Sequence, residues 1–337
     1  MAIKCLCIGD QHIKTDNLRT IEILYEKLDC HLKNNKYDVI ISMGDLLHTH
    51  ERLNSLALNV AVKYLELLSS HAKTYVLVGN HDYINCSQFL TTNHWLNCVK
   101  HINNITVVDK VYSFEKDKIK IIMCPFVPDG RFVEALNTYG DWKNANCIFG
   151  HQLLDGCKMG CMIVKDIEEW KKEYPMCICG HIHEKQIISS NLRYIGSVLQ
   201  DAFGERDKTI TEVIIDTNNI TFKEYSLDLP CKKTITIDSS ELFKFKFPIN
   251  TDFVKYKVII NGNENDFKTF KLSDIYKNVP RDIKIEFKNT KKSIEEKKEK
   301  ILSIKNYNIN FYDVLKETIY NEKDNDMLKE ILKEFIQ

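Results

Sequence analysis

Residues 73–82 read Lys-Thr-Tyr-Val-Leu-Val-Gly-Asn-His-Asp, a short apolar run that ends in a glycine and three polar side chains. Such a run is typical of a buried strand, and the glycine lets the backbone turn at once. The same arrangement recurs at four other places: Gly9-Asp10-Gln11-His12, Gly44-Asp45, Gly150-His151 and Gly180-His181-Ile182-His183. Because the carboxyl ends of strands in an open α/β sheet share one edge, the pattern predicts that five loops converge there.

The segments between these loops indicate the class of fold. Short apolar runs predict strands at 3–8, 39–43, 73–78, 105–108, 118–123, 146–149, 176–178, 185–189, 211–215 and 220–225. Apolar residues at helical spacing predict helices at 18–32 and 53–68. Alternating strands and helices followed by a run of strands favour an α/β core whose sheet is split into two packed layers.

The composition changes after residue 230. Residues 231–290 predict a small α+β domain, with strands at 234–237, 256–260 and 283–287 and a short helix at 272–277. From residue 291 the chain is predicted to be helical, because Ser293-Ile-Glu-Glu296 resembles a capping box and two amphipathic stripes follow it. The predicted domains are therefore 1–230, 231–290 and a terminal helical segment, 291–337. The two terminal helices could pack on the domain or dock on the helices of a partner.

The charge balance carries little functional information by itself. The chain of 337 residues has 47 Lys and Arg against 47 Asp and Glu, so no overall basic excess indicates nucleic acid. From residue 231 onward the counts are 22 and 18, which leaves the first 230 residues acidic. Acidic side chains in that part could be balanced by bound cations. In the tail, lysines alternate with glutamates, a mixture that is more typical of a solvated helix than of a phosphate-binding stripe.

Several absences narrow the cellular setting. No run of 18 apolar residues predicts a membrane span, and the first residues enter a strand pattern without a signal-peptide layout. The twelve cysteines are therefore expected to be reduced thiols inside a cell. Cys157 and Cys161 have the spacing of half a zinc site, but the sequence offers no second half. A composition rich in Lys, Asn and Ile is typical of AT-rich genomes, including viral ones.

The side chains on the five loops suit a site for two metal ions. Carboxylates, imidazoles and one amide without thiolates form a ligand set that suits Mn, Fe or Zn. Two ions about 3.5–4 Å apart need a bridging carboxylate, and Asp45 is the natural candidate. Such ions polarise phosphoryl oxygens and lower the pKa of a bridging water from 15.7 to about 7. Any single Gly-Asp or Gly-His could be an ordinary turn, but five in this order are hard to obtain by chance.

At this point the sequence resembles the calcineurin-like metallophosphoesterases, over most of the first 200 residues. The resemblance implies a β-sandwich flanked by helices. It also implies two sets of ligands: Asp10, His12, Asp45 and His183 for one ion, and Asp45, Asn80, His151 and His181 for the other.

Within that superfamily the sequence is similar to the DNA-repair nuclease branch, the SbcD-type exonuclease subunits and the phage recombination-endonuclease subunit. The likeness rests on Gly44-Asp45-Leu46-Leu47-His48, on Tyr194-Ile195-Gly196-Ser197, and on the small domain and helical segment that follow. It implies two Mn²⁺ ions, a DNA substrate, a homodimer, and an SMC-like ATPase partner of the SbcC type bound by the terminal helices.

Three further side chains are candidate catalytic residues. His81 follows a candidate ligand and could protonate the leaving oxygen or stabilise the transition state. Asp82 is expected to orient His81 and fix its tautomer, and His48 to contact the substrate phosphate or position the DNA strand. The simpler alternatives are a helix cap for Asp82 and ordinary surface positions for the two histidines.

The leading hypothesis is therefore a metal-dependent DNA nuclease in an SbcCD-like complex that processes DNA ends in repair or recombination. One alternative is a stand-alone phosphoesterase acting on nucleotides or phosphoproteins. It is disfavoured because Gly44-Asp45 is not followed by Asp-Arg-Gly, as it is in the phosphoprotein phosphatases. A scaffold that has lost catalysis is a third possibility, and the presence of all seven candidate ligands disfavours it.

Overall fold

The computed structural model describes residues 2–50, 52–160, 162–206 and 208–289. The strands in these ranges are, in chain order, β1 Ile3–Ile8, β2 Val39–Ser42, β3 Lys73–Leu77, β4 Ile105–Val108, β5 Tyr112–Lys116, β6 Ile119–Met123, β7 Cys147–Gly150, β8 Lys158–Met159, β9 Met162–Ile163, β10 Met176–Cys179, β11 Gln186–Ser189, β12 Leu192–Tyr194, β13 Ile210–Ile215, β14 Ile220–Tyr225, β15 Cys231–Asp238, β16 Val254–Gly262 and β17 Lys284–Asn289. The α-helices are α1 Leu18–Asn34, α2 Ser55–His71, α3 Phe132–Tyr139, α4 Glu264–Leu272 and α5 Asp274–Lys277.

Two six-stranded sheets form the core of the molecule. One has the order β14-β13-β1-β2-β3-β4 and the other β11-β12-β10-β7-β6-β5. Apolar side chains from both sheets share one buried cluster, to which β1 contributes Cys5 and Cys7 and β6 contributes Ile121. Alternate residues of β1, Leu6 and Ile8, face the other way. Successive side chains of a strand point to opposite faces, so β1 is buried on both.

Helices cover the outer faces of the two sheets. The apolar stripe of α1, which includes Leu24 and Leu28, packs with Leu65 of α2 against the outer face of the first sheet. Asn54 caps α2 because its side chain accepts hydrogen bonds from two backbone N–H groups in the first turn. Helix α3 supplies Leu136 to a third cluster on the outer face of the second sheet. This arrangement confirms the predicted α/β sandwich flanked by helices.

Parallel pairing places the functional loops. Strand β2 pairs in parallel with β1 and β3, and β7 pairs in parallel with β10 in the other sheet. These are the five strands that precede the glycine-led motifs. Within each sheet, their carboxyl ends therefore lie at the same edge.

The described residues form two compact units. The first contains residues 2–235, 247–257 and 280–284, except where these ranges are not described. The second contains Thr236–Lys246, Val258–Val279 and the described residues from Ile285 onward. In the second unit an Asn263–Asp266 capping box starts α4, and the rings of Phe267 and Phe287 lie 4.8 Å apart.

Most predicted strands match the structure to within two residues, but several elements were missed. The predicted helix at 272–277 corresponds to α5, and α4 before it was not predicted. Strand β5 was missed because its five residues are at most half-buried and carry no apolar run. The helices predicted for 291–337 lie outside the described residues. Among the described helices, none combines the length and the apolar character that crossing a membrane requires.

Candidate metal centre

The structure brings all seven candidate ligands together at the ends of β1, β2, β3, β7 and β10. Five of them form two clusters that share Asp45: one with Asp10 and His12, and one with His151 and His181. Within each cluster, one ligand atom per residue lies within 4.8 Å of the others. The two remaining candidates complete the sets: His183, whose Nε2 is 2.9 Å from His12 Nε2, and Asn80, whose Oδ1 is 2.9 Å from His181 Nδ1 and 3.1 Å from His151 Nε2.

The backbone at this centre is strained. His12, Asp45 and His181 have φ values of +45°, +52° and +75°. Residues other than glycine seldom occupy this left-handed region of backbone conformation, and those that are held there cluster at functional sites. The loops therefore turn sharply at the residues that carry the candidate ligand atoms.

Two glycines allow the loops to approach one another closely. A Cβ at Gly79 would lie 2.2 Å from Asp45 Oδ1, and a Cβ at Gly44 would lie 2.4 Å from His151 Nδ1. Both distances are shorter than any non-bonded contact, so a side chain at either position would displace a candidate ligand. The glycines before these motifs thus make room for neighbouring loops as well as permitting a turn.

Backbone groups hold the ligand side chains in place. His81 N–H donates to Asp45 Oδ1 at 2.9 Å, and His181 N–H donates to Asp10 Oδ1 at 3.0 Å. The ring of His151 is held by the backbone, because its Nδ1–H donates to the Met43 carbonyl oxygen at 2.7 Å. Its Nε2 therefore faces the cluster, and this atom would have to release its proton to bind a metal ion.

The pKa shifts at this centre arise from burial and from the close approach of carboxylates and imidazoles. Burial lowers the pKa of His12 and His181 to about 3, so both imidazoles are neutral at pH 7. Burial raises the pKa of Asp10. Burial would also raise the pKa of Asp45, but the charge of His151 and its contact with the carboxylate hold it well below its usual range. Burial opposes charge on His151, yet Asp45 and Asp10 raise the pKa of its ring to about 10.

The donor set fits divalent cations. Asp10 Oδ2 is buried and has no hydrogen-bond partner among the described residues, although buried polar atoms nearly always have one. His151 Nε2 lies among oxygen atoms, 3.3 Å from Asp45 Oδ2, and the neutral imidazole of His12 offers Nε2 only 2.9 Å from another imidazole nitrogen. Bound cations would provide partners for these closely spaced oxygen and nitrogen atoms. Mixed O and N ligands suit Mn, Fe or Zn.

The hypothesis that Asp82 orients the His81 ring is wrong. Asp82 is 1% exposed, and its carboxylate accepts from the N–H groups of Leu46 and Gly79 and from Trp95 Nε1, the last at 2.8 Å. It therefore holds the loops after β2 and β3 together. The ring of His81 is instead oriented by the backbone, because its Nδ1–H donates to the His48 carbonyl oxygen at 2.7 Å.

Three imidazoles stack beside the clusters. The rings of His48 and His50 both stack on the ring of His81, at centroid distances of 5.4 and 4.8 Å and interplanar angles of 10° and 15°. His48 Nδ1 is also 3.3 Å from His12 Nδ1. The structure thus places both predicted catalytic histidines at the centre and adds His50, which no strand-end motif had indicated.

A carboxylate and a lysine that were not predicted lie behind His183. Glu205 Oε1 is 3.8 Å from His183 Nδ1, an ion-pair distance, and Glu205 Oε2 is 2.7 Å from Lys208 Nζ. Lys208 Nζ also donates to the His183 carbonyl oxygen at 2.7 Å. These residues follow the centre by more than 20 positions and have no motif of their own, so only the folded structure shows their role.

Comparison with known proteins agrees with this geometry. A family profile described as "Calcineurin-like phosphoesterase" matches residues 3–185, which include every candidate ligand. The chain belongs to the calcineurin-like phosphoesterase family. The family resemblance is thereby confirmed at the level of the superfamily, and phosphoesterase is the class of enzyme that it supports.

Two relatives are viral. The chain is 35% identical to "Putative phosphoesterase 078R" of Invertebrate iridescent virus 3, over 99% of this chain and 96% of that protein. It is 37% identical to "Putative phosphoesterase 244L" of Invertebrate iridescent virus 6, over 81% of this chain and 98% of the relative. Among solved structures, a conserved uncharacterized protein of Streptococcus pneumoniae is 14% identical, with 68% of this chain and 92% of the other covered and a TM-score of 0.34.

The spacing of Cys157 and Cys161 does not extend this centre. Cys157 is fully buried in the apolar cluster under α3, where it behaves as a small hydrophobic side chain. Cys161 lies outside the described residues. The cysteines of the described ranges are free thiols.

Proposed function

We propose that this phosphoesterase is a metal-dependent DNA nuclease. The observation that carries the proposal is the pair of clusters sharing Asp45, with the imidazole of His81 held beside them. Asp10, His12, Asp45 and His183 would hold one divalent ion, and Asp45, Asn80, His151 and His181 the other. When bound, such ions activate water and neutralise the charge that develops on the phosphoryl group, and Mn²⁺ suits the ligand set.

The histidines then supply positioning and proton transfer. The Nδ1–H group of His81 donates to the His48 carbonyl oxygen, so Nε2 is the nitrogen left for the substrate. A proton on Nε2 can be donated to the leaving oxygen, and the hydrogen bond from Nδ1–H to the His48 carbonyl oxygen holds the ring in place for that transfer. His48, stacked on the ring of His81, is half-buried and can contact a non-bridging phosphate oxygen.

The surroundings of the clusters favour a phosphodiester over a phosphomonoester. The Asp-Arg-Gly sequence of the phosphoprotein phosphatases does not follow Gly44-Asp45 here, and the rings packed on His12 are the imidazoles of His48, His81 and His183. The nuclease-type features Gly44–His48 and Tyr194–Ser197 point the same way. A stand-alone phosphatase is the alternative, and the substrate comparison below distinguishes the two.

The proposal extends to partners and setting. By the same resemblance, DNA is the substrate, the protein is a homodimer, and an SMC-like ATPase of the SbcC type binds residues 307–337. An intracellular setting is proposed from the sequence pattern and the free cysteines instead. The viral relatives favour a role on a viral genome. Deletion of residues 307–337 is expected to abolish co-purification with an SMC-like ATPase from the same genome while metal-dependent hydrolysis persists. Retained binding would locate the ATPase elsewhere.

The central test is hydrolysis of linear single-stranded and double-stranded DNA with Mn²⁺, beside a phosphomonoester. We expect cleavage of DNA, loss of that cleavage with a chelator, and little turnover of the monoester. Asp45→Ala should abolish both metal binding and cleavage, whereas Asp141→Ala, an exposed carboxylate, should retain both. Turnover of the monoester without cleavage of DNA would favour the stand-alone phosphatase.

His81→Gln separates chemistry from metal binding. Because the ring of His81 is proposed to transfer a proton, its removal should lower kcat by about 10²–10⁴-fold while both Mn²⁺ ions stay bound. Metal content by elemental analysis and single-turnover cleavage of a labelled oligonucleotide measure the two effects. Unchanged turnover would remove His81 from the mechanism.

A further inference from the structure

A groove with a volume of about 890 Å³ opens beside the metal centre. His181 and His183 form part of its lining, so it is continuous with the place where the reaction would occur. One wall is the β8–β9 hairpin, and the opposite wall is the loop that contains residues 203–206. The lining therefore extends from two candidate ligands to a hairpin with no assigned role and to the loop that carries Glu205.

Both walls are anchored to the rest of the fold. The Gln186 side chain binds the hairpin at two points: its Oε1 accepts from Lys158 N–H and its Nε2 donates to the Lys158 carbonyl oxygen, each at 2.7 Å. On the other side, Glu205 accepts from Ala202 N–H at 2.9 Å, and Gln200 Nε2 donates to the Glu205 carbonyl oxygen at 2.7 Å. The groove is thus built before any ligand arrives.

The lining combines apolar and cationic side chains. Met159 and Met162 are 47% and 72% exposed, and the ring of Phe203 is half-buried in the opposite wall. Lys158 and Arg206 are exposed, and their side chains form no ion pair within the described part of the chain. The Glu205 carboxylate, by contrast, forms ion pairs with Lys208 and His183.

These features match an unpaired nucleic-acid strand. Grooves that bind single strands pair a cationic track for phosphates with aromatic or apolar side chains on which bases stack. In a duplex the base faces are covered by their neighbours, so an apolar lining would have nothing to contact. A small phosphate ester would fill only the end at His181 and His183.

Building on the nuclease function proposed above, we infer that this groove binds the unpaired DNA strand next to the scissile phosphate. The ring of Phe203 and the side chains of Met159 and Met162 contact base faces, and Lys158 and Arg206 contact phosphates. The groove thereby makes single-stranded DNA, or a frayed end, the preferred substrate over an intact duplex.

Equilibrium binding tests the base contact without turnover. The full chain, with Ca²⁺ in place of Mn²⁺, is titrated into a fluorescent oligothymidylate of about 12 nucleotides, within the site sizes of single-strand grooves. Phe203→Ala should raise Kd about 10-fold, since one base stack is worth this much, and Phe203→Tyr should restore it to within about twofold. Tyr139→Ala, an aromatic that is 40% exposed elsewhere, should leave Kd unchanged. A Kd for Phe203→Ala within twofold of the wild-type value would overturn the inference.

The phosphate contacts have a separate signature in salt. Lys158→Ala and Arg206→Ala should each lower the slope of log Kd against log salt concentration by about 0.7, the value for one phosphate contact on a single strand. Lys172→Ala, an exposed lysine outside the groove, should not change the slope. Equal slopes for all three variants would contradict the assigned phosphate contacts.

Cleavage distinguishes this inference from the nuclease proposal itself. We expect Phe203→Ala to reduce kcat/KM about 10-fold more for the oligothymidylate than for bis(p-nitrophenyl) phosphate, which carries no nucleobase. Equal losses on both substrates would overturn the groove assignment while the nuclease proposal stands. A wild-type protein that binds the oligothymidylate through Phe203 but hydrolyses only the small diester would instead overturn the nuclease proposal.

Discussion

The two halves of the candidate metal centre are held in different ways. In the half that contains Asp45 and His151, the imidazole is fully buried and its Nδ1–H donates to a backbone carbonyl. In the half that contains His12 and His183, the side chain of His183 is 29% exposed and borders the groove. Its Nδ1 faces the carboxylate of Glu205 on a surface loop rather than the backbone of a strand.

This difference separates His151, a ligand held within the core, from His183, a ligand at the substrate surface. A ligand held by a strand carbonyl cannot move without disturbing the sheet, because core packing transmits displacement. A ligand held by an ion pair on a loop can adjust at a small cost. We therefore expect removal of the His183 side chain to change the stability of the fold little. We expect the metal affinity of its half to depend on the charge of Glu205.

The largest expected effect is on stability, from removing each imidazole in turn. His151→Ala leaves two buried carboxylates without their partner and should destabilise the metal-free protein by about 3–5 kcal/mol. His183→Ala removes a partly exposed side chain and should cost less than about 1 kcal/mol. Urea unfolding with a chelator at pH 7 measures both. Equal losses would show that the two halves are supported alike.

An intermediate effect is expected on metal affinity. The carboxylate of Glu205 lies 3.8 Å from His183 Nδ1. We expect its charge to favour a proton on Nδ1 and so to leave Nε2 as the ligand atom, a role that outer carboxylates commonly play. Glu205→Gln should weaken one of the two Mn²⁺ binding steps by about 10–100-fold and leave the other unchanged. Titration calorimetry with Mn²⁺ resolves the two steps. Equal weakening of both, or of neither, would refute a role confined to one half.

The sequence predicted the ligand-bearing loops because each signal is local. A strand of four to six apolar residues, a glycine and a polar side chain lie within a few positions, and parallel pairing brings such ends together. The outcome for Asp10 and His151 could thus be anticipated from two separate stretches of chain. The two-layer sandwich could be anticipated in the same way, because β1, β2 and β3 carry clear apolar runs.

The support of the site could not be predicted, because it depends on contacts between distant loops. Asp82 lies next to His81 in sequence, yet its carboxylate binds Leu46 N–H, 36 positions away. Glu205 reaches His183 only because the loop after Ser197 folds back over β10 and the following turn. Helix α3 was missed for a different reason, because eight residues are too few to show helical periodicity clearly.

The smallest expected effect is on stability, and it concerns three residues away from the metal centre: His94, Lys100 and Asp109. Asp109 Oδ2 lies 3.2 Å from His94 Nε2 and 2.5 Å from Lys100 Nζ, the same three residue types as His183, Glu205 and Lys208. Burial would raise the pKa of Asp109, but the Lys100 and His94 contacts hold it below its usual value. Because the folded pKa is the lower one, the charged form stabilises the fold above about pH 4, and this contribution is lost as the pH falls through the folded pKa.

Asp109→Asn should therefore destabilise the protein by about 0.5–1 kcal/mol at pH 7, a small value because solvent screens the pair. The difference from the wild-type protein should shrink as the pH is lowered below about 4. Both Mn²⁺ affinities should stay unchanged, since this trio supports no ligand. Urea unfolding across pH and calorimetry with Mn²⁺ measure the two quantities. A metal affinity that fell with Asp109→Asn as it does with Glu205→Gln would mean that general loosening of the fold, and not the orientation of His183, explains the weaker half.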